Sequence, residues 1–299
     1  DVSDHFHPWS EEGQACFTWS WLGAAAVKTK TIELGTGITC PILRYNPSII
    51  AQAAATVSSL AGGRTYLGVG TGEALNEYSI TYEWPSFIER QARMIEAIQL
   101  IRNLWTGEKI DFEGCYYPTR QAKLYTLPKN DIPIYVSSLV PQSAYLAGYY
   151  GDGLITVGGS LEMEAYKQML SEVKKGAADA GRDFEKMAKA VELFVEYTSD
   201  IEKVVESFKK YWAGALVHAL YLNKIYTPGM SAQNGKVVGK DSIQKSACIS
   251  DDPEKHIEYI KQYIDAGFTH IYLHSAVPDQ VSFIEAYGKD ILPALKKRG

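Results

Sequence analysis

Cysteine is sparse in this 299-residue chain: Cys16, Cys40, Cys115 and Cys248 lie far apart, with no C-x-x-C pair. That spacing speaks against a disulfide framework and for reduced thiols, as in a cytoplasmic protein. Basic excess is missing too. Lys and Arg total 30 against 35 Asp and Glu, the net charge is −5, and no basic block occurs, so there is no electrostatic footprint for nucleic acid. No apolar run approaches the roughly 18 to 20 residues that a membrane-spanning helix needs. The phosphate-cradling G-x-x-x-x-G-K-[ST] is absent, which removes support for nucleotide hydrolysis. G-x-G-x-x-G fails at Gly68–Glu73, where a glutamate holds the last position and no acidic ribose reader follows, so a Rossmann dinucleotide site is rejected. Histidines are few, and His5-x-His7 lacks partners at metal-ligand spacing; no metal site is expected.

The composition that remains, 46% apolar and 22% charged, is that of an ordinary globular protein. The chain starts at Asp1 without a Met, and Val2–His5 already reads as the end of a strand, so an N-terminal piece is expected to be missing. Helical spacing then covers Gly13–Lys28, Thr31–Thr39 reads as a strand, and the Ala/Ile-rich Ser48–Leu60 as a helix closed by Gly62-Gly63. Strand Arg64–Val69 leads into Gly68–Glu77. A long helix follows Pro85, and Gly107–Tyr125 looks like an inserted hairpin around Gly114.

Further on, strands are expected at Ile132–Val136, Gly153–Val157, Met187–Tyr197 and His270–His274. Helices are expected at Gln142–Tyr150, Leu161–Ala180, Ile201–Tyr221, Pro253–Ala266 and Val281–Lys297, with a polar Lys- and Gly-containing excursion at Thr227–Lys245. Apolar strands alternating with helices argue for a parallel sheet with helices outside. One more unit at the front would complete a TIM (β/α)8 barrel, read here as a single domain over residues 1–299 with insertions near 107–125 and 227–247.

Gly68–Glu77 (GVGTGEALNE) is the stretch with most chemical content. A strand that runs into three alternating glycines, a carboxylate at Glu73 and an amide at Asn76 places polar groups at the carboxyl end of a barrel strand. A bare strand-to-helix turn reads equally well from these residues alone. His5, beside Asp4 at another strand end, is a candidate proton acceptor or donor near neutral pH, and Trp9 offers a flat wall for a ring or small substrate. Thr36–Pro41 reads as a β-bulge or a ligand-facing kink. The turn at Ser137-Ser138, with Gln142-Ser143 opening the next helix, could hold a phosphate.

Together, SDHFHPW (3–9), GTGITCPILRYNP (35–47), GVGTGEALNE (68–77) and Trp212-Ala213-Gly214 resemble the bacterial luciferase-like superfamily, and within it the enzymes dependent on the deazaflavin coenzyme F420. Two groups compete: secondary alcohol dehydrogenases and glucose-6-phosphate dehydrogenases. The resemblance implies that the first strand and helix are absent here, and with them an active-site acid. It further implies that His5 exchanges the substrate hydroxyl proton, Glu73 acts as acid/base beside the deazaflavin, and Asp4, Thr71, Gly72 and Asn76 hold the cofactor. Gly37-Ile38 matches the place of a non-proline cis peptide behind the ring, and Cys40 stands where the sugar-phosphate enzymes have threonine. Leu139 and Val140, followed by Gln142 and Ser143, replace a glycine pair that binds the cofactor phosphate.

The resemblance implies that Ser160 and Ser246 occupy the places of two phosphate-binding cations and that Lys224 matches a third, with Lys236, Lys240 or Lys245 as substitutes. A phosphate dianion needs charge-assisted donors, and two serines replace two cations poorly. With Trp9 and Trp212 bordering the substrate, the expectation is a small, largely apolar secondary alcohol or ketone. Sugar phosphate, an FMN-dependent monooxygenase or a cofactor-binding protein on a degenerate barrel are the alternatives. The resemblance implies a homodimer.

Overall fold

A computed structural model describes residues 1–216 and 223–298. Its main sheet contains β1 (Leu34–Gly35), β2 (Thr65–Val69), β5 (Ile134–Ser137), β6 (Gly153–Val157), β7 (Ala188–Tyr197), β8 (Ala247–Ser250) and β9 (His270–His274). Every pairing within it is parallel. The order is β1-β2-β5-β6-β7, and a bridge from Val2 to Thr36 adds the opening residues beside β1. Phe194 is in register with both Ala247 and His274, so β8 and β9 lie on opposite edges of β7.

The sheet curls. Tyr66 of β2 stacks on Tyr135 of the adjacent β5 at 4.9 Å and also on Tyr272 of β9 at 6.2 Å. Strands distant in sheet order reach the same aromatic side chain only across a shared interior, which Ile155, Ala188 and Ala190 also line. Outside, the helices Pro47–Leu60, Phe87–Trp105, Met163–Asp179 and Pro253–Ala266 cover the strands with Ile50, Ile98, Ile101, Val173 and Ile257, the layered arrangement of an α/β barrel. Asn46 and Ser86 cap two of these helices by accepting from Ser48 and Glu89 amides.

Several boundaries differ from expectation. The first helix begins at Thr18 rather than Gly13: a turn closes from Gly13 N to the Ser10 carbonyl, and the chain then runs irregularly to an extended Phe17. The strand expected over Thr31–Thr39 is paired only at Leu34–Gly35, with single bridges at Thr36 and Thr39 on either side of the cis Gly37–Ile38 bond. The hairpin is present as β3 (Ile110–Phe112) and β4 (Thr119–Ala122), antiparallel. The 227–245 excursion is two helices, Pro228–Gly235 and Lys240–Ser246, the first capped by Thr227, followed by β8, which the sequence reading missed. The helix expected over Ile201–Tyr221 passes through a π segment at Phe208–Trp212 and a 3-10 turn at Ala213–Leu216, and its end lies outside the described residues. The closing helix is likewise interrupted by a π segment at Tyr287–Ile291.

Candidate active site

The site lies where the chain leaves the Val2 bridge, β1 and β2. After β2, Gly72 turns the backbone at φ 78°, and an added Cβ there would stand 2.6 Å from Cys40 Sγ, so only glycine lets the two loops close. The turn feeds the helix Ala74–Thr81, with Glu73 at its N-cap position. Glu73 Oε2 comes to 3.5 Å from His5 Nε2, and the His5 and Trp9 rings stand 5.6 Å apart. The structure thus brings His5, Trp9 and Glu73 together.

His5 Nδ1 faces the His7 carbonyl at 3.3 Å. A carbonyl only accepts, so this contact favours the tautomer with the proton on Nδ1 and leaves the Nε2 lone pair toward Glu73. Partial burial raises the Glu73 carboxyl above the ordinary carboxylate range, against the opposing pull of His5 and of the Asn76 amide, although 31% of the side chain still meets solvent. Asn76 is committed to protein groups: its Oδ1 accepts the Phe6 and His7 amides at 3.0 and 3.1 Å, and its Nδ2 donates to Glu73 at 3.1 Å.

Asp4 is buried. It accepts from Thr39 Oγ1 and, at 3.2 Å, from the Tyr45 hydroxyl, and it pairs with Arg44 at 3.2 Å. Arg44 also holds Glu77 through Nε at 3.1 Å. Sequence reading singled out neither Arg44 nor Glu77. The available signal was an arginine inside the apolar Ile42–Tyr45 loop and a glutamate four residues after Glu73, on the same helical face. Cys40 is buried, and burial raises its thiol well above the usual range, so it packs rather than reacts.

The other predicted residues occupy a second side. The cis Gly37–Ile38 bond lies between β1 and Thr39, with Ile38 packed toward the barrel interior. Leu139 and Val140 are exposed just before the helix Pro141–Tyr150, and their amides donate to no acceptor among the described residues. Ser143 Oγ meets Ser138 Oγ at 2.5 Å; the Gln142 side chain lies outside the described residues. Trp212 packs edge-on against His274 at 4.3 Å and against Phe194 at 5.7 Å, and His274 is paired with Glu192 at 2.5 Å. A Cβ on Gly214 would collide with the Trp9 ring edge, which places the Trp212–Gly214 turn over Trp9. Lys224 is exposed.

Residues 2–270 match the luciferase-like monooxygenase family. An F420-dependent glucose-6-phosphate dehydrogenase of Nocardia farcinica is 40% identical over 299 residues, covering 99% of this chain and 88% of the relative. Among solved structures, an F420-dependent secondary alcohol dehydrogenase in complex with an F420-acetone adduct superposes with a TM-score of 0.91 at 37% identity, over 98% of this chain and 89% of that one. A coenzyme F420 dependent tetrahydromethanopterin reductase from Methanopyrus kandleri matches in fold, with a TM-score of 0.79 at 23% identity over 98% of this chain and 90% of that one.

Proposed function

The chain belongs to the luciferase-like monooxygenase family, and from that premise we propose that it is a coenzyme F420-dependent oxidoreductase acting on the CH–OH group of a small secondary alcohol, or on its ketone in reverse. The observation that carries this reading is the meeting of His5, Glu73 and Trp9 at adjacent strand ends. The residues fit the cofactor: Thr71-Gly72 and the cis Gly37–Ile38 step offer backbone to a planar ring, while the open Leu139 and Val140 amides with Ser143 suit a phosphate at a helix N-terminus. When bound, the deazaflavin supplies the hydride acceptor that turns the alcohol into a ketone.

The protein's share is proton handling and alignment. His5 Nε2 takes the hydroxyl proton, so negative charge does not accumulate on the oxygen, and the Nδ1–His7 contact holds the ring in the tautomer that can do so. Glu73, whose carboxyl retains a proton more readily than an ordinary one, receives or returns a proton across the 3.5 Å gap. Asp4 steadies this edge from beneath, and Trp9 with Trp212 excludes water from the substrate.

An apolar substrate is supported by what stands at the two serines. Ser160 faces the Tyr166 hydroxyl at 3.4 Å and Ser246 donates to the Ser242 carbonyl at 2.8 Å, while Lys240 is paired with Glu202. The 40% identity to sugar-phosphate enzymes favours glucose 6-phosphate as the second reading. Exposed Phe6, Phe17, Trp21 and Ile80 support a homodimer, and we place the protein in the cytoplasm. No described helix is long and apolar enough to cross a membrane.

The test is a titration of the protein with coenzyme F420 and, separately, with riboflavin phosphate, followed by absorbance at the deazaflavin band on adding 2-propanol or glucose 6-phosphate. Bleaching with 2-propanol alone is expected. Bleaching with the sugar phosphate alone would replace the substrate, and oxygen consumption with riboflavin phosphate would replace the cofactor.

A further inference from the structure

Three loops that leave neighbouring strands are fastened at one guanidinium. Arg44 Nη2 donates to the Asp4 carbonyl and pairs with its carboxylate at 3.2 Å. Arg44 Nε and backbone N each donate to Glu77 at 3.1 Å. The Arg44 side chain is 6% exposed and that of Glu77 is 1% exposed. The Glu77 stem passes under the active-site turn, where a Cβ on Gly72 would stand 3.0 Å from its Cγ. One helix start therefore grips residues 4–7 at three points: Glu73 at His5, Asn76 at the Phe6 and His7 amides, and Glu77 at Asp4 through Arg44.

Two carboxylates share one guanidinium away from water, which leaves one negative charge in excess when both ionise. We propose that Arg44 and Glu77 are positioning residues that set the Asp4–His5 segment according to whether Glu77 holds a proton. With Glu77 protonated, the guanidinium belongs to Asp4 and holds the peptide that carries His5. With Glu77 ionised, the guanidinium is divided and that hold slackens. The inference rests on His5 being the proton acceptor of the reaction.

Burial pushes Glu77 up to about 7 against the pull of Arg44, so the exchange falls in the working pH range. The ionisable groups around it are Arg44, Asp4, Cys40 and Tyr45 from the facing loops and Glu73 on its own helix. Burial keeps the Cys40 thiol and the Tyr45 phenol neutral there.

The test follows the His5 imidazole resonances against pH in the cofactor-free protein, wild type and Glu77→Gln. A second inflection in the wild-type His5 curve, absent from Glu77→Gln, is expected. In the loaded enzyme the kcat profile should lose the same inflection, while KM for 2-propanol changes by less than about twofold. Arg44→Lys, which keeps the charge but loses the fork, should displace the inflection without abolishing it. Where Glu77→Gln fails to fold, Glu77→Asp is read instead, and its shorter stem must move the inflection. Identical His5 curves in wild type and variant overturn the clamp. That result is distinct from failure of the functional reading, which is turnover surviving in His5→Ala.

Discussion

The Asp4–Trp9 side of the site and the Trp212–Ser246 side are built from different materials. On the first, buried charges hold one another: Asp4, Arg44 and Glu77 interlock, and Asn76 pins two backbone amides. On the second, Trp212, Phe194 and His274 pack ring against ring beneath short helical turns, and the lysines reach outward. The first side holds the groups we propose to move protons, His5 and Glu73, where a displacement of an ångström is costly. The second offers surface and meets the first where the Gly214 turn lies against Trp9. Relatives named for a sugar phosphate and for an alcohol resemble this chain to a similar degree, at 40% and 37% identity.

The comparison breaks most sharply at His5. His5→Ala should lower kcat by roughly 10²- to 10⁴-fold, the usual worth of a positioned acid or base, with coenzyme F420 affinity retained. Stopped-flow bleaching beside a binding titration checks both halves. Next is Arg44→Ala, which strands two buried carboxylates and should cost about 3–5 kcal/mol by urea unfolding. A cost under about 1 kcal/mol would put that side on a level with exposed ion pairs.

The proximity of His5, Glu73 and Trp9 was legible in sequence through the resemblance, because all three stand at strand ends, although local spacing alone left a bare turn equally open. Arg44 and Glu77 were not. Their roles depend on loops from three strands meeting, which no local pattern encodes. On the second side, Gly153–Val157 and Pro253–Ala266 were read with their observed ends, since apolar period and breakers agree there. The helices within the 227–245 excursion were not read: both are short and the first carries Gly229 and Gly235, so propensity is weak and tertiary packing of Ser231 and Ile243 decides. The π segment at Phe208–Trp212 leaves no mark on periodicity beyond a slipped phase.

The same contrast has a pH signature. The Glu77 carboxyl, about 7 in the fold against 4.5 for an ordinary glutamate, binds its proton more tightly folded than unfolded. Its contribution to stability is complete below about pH 4.5 and is lost as pH rises through 7, a swing of about 3 kcal/mol. Urea midpoints from pH 4 to 8 should show a slope in the wild type that flattens in Glu77→Gln. An unchanged slope would assign it to Glu73 or Glu196, whose carboxyls burial also raises.

Gly214→Ala probes the seam between the sides. Its methyl meets the Trp9 ring and Ser231 Oγ, so about 1–3 kcal/mol of overpacking is expected. The penalty should appear in KM for 2-propanol rather than in cofactor affinity, because the Trp9 wall moves while the Asp4 cluster does not.

The smallest effect belongs to the second side's surface. Lys240 and Glu202 form a pair with 42% and 73% of their side chains exposed. Solvent screens such a pair, so Lys240→Ala should change stability by less than about 1 kcal/mol. Turnover of 2-propanol should not respond, since the ammonium is spent on Glu202 and an alcohol offers it no charge. A sugar phosphate would respond differently: losing a cation near a dianion weakens a charge-assisted contact, and KM for glucose 6-phosphate alone would rise. Measured with both substrates, this near-silent substitution reports whether Lys240 binds substrate or serves only its pair with Glu202.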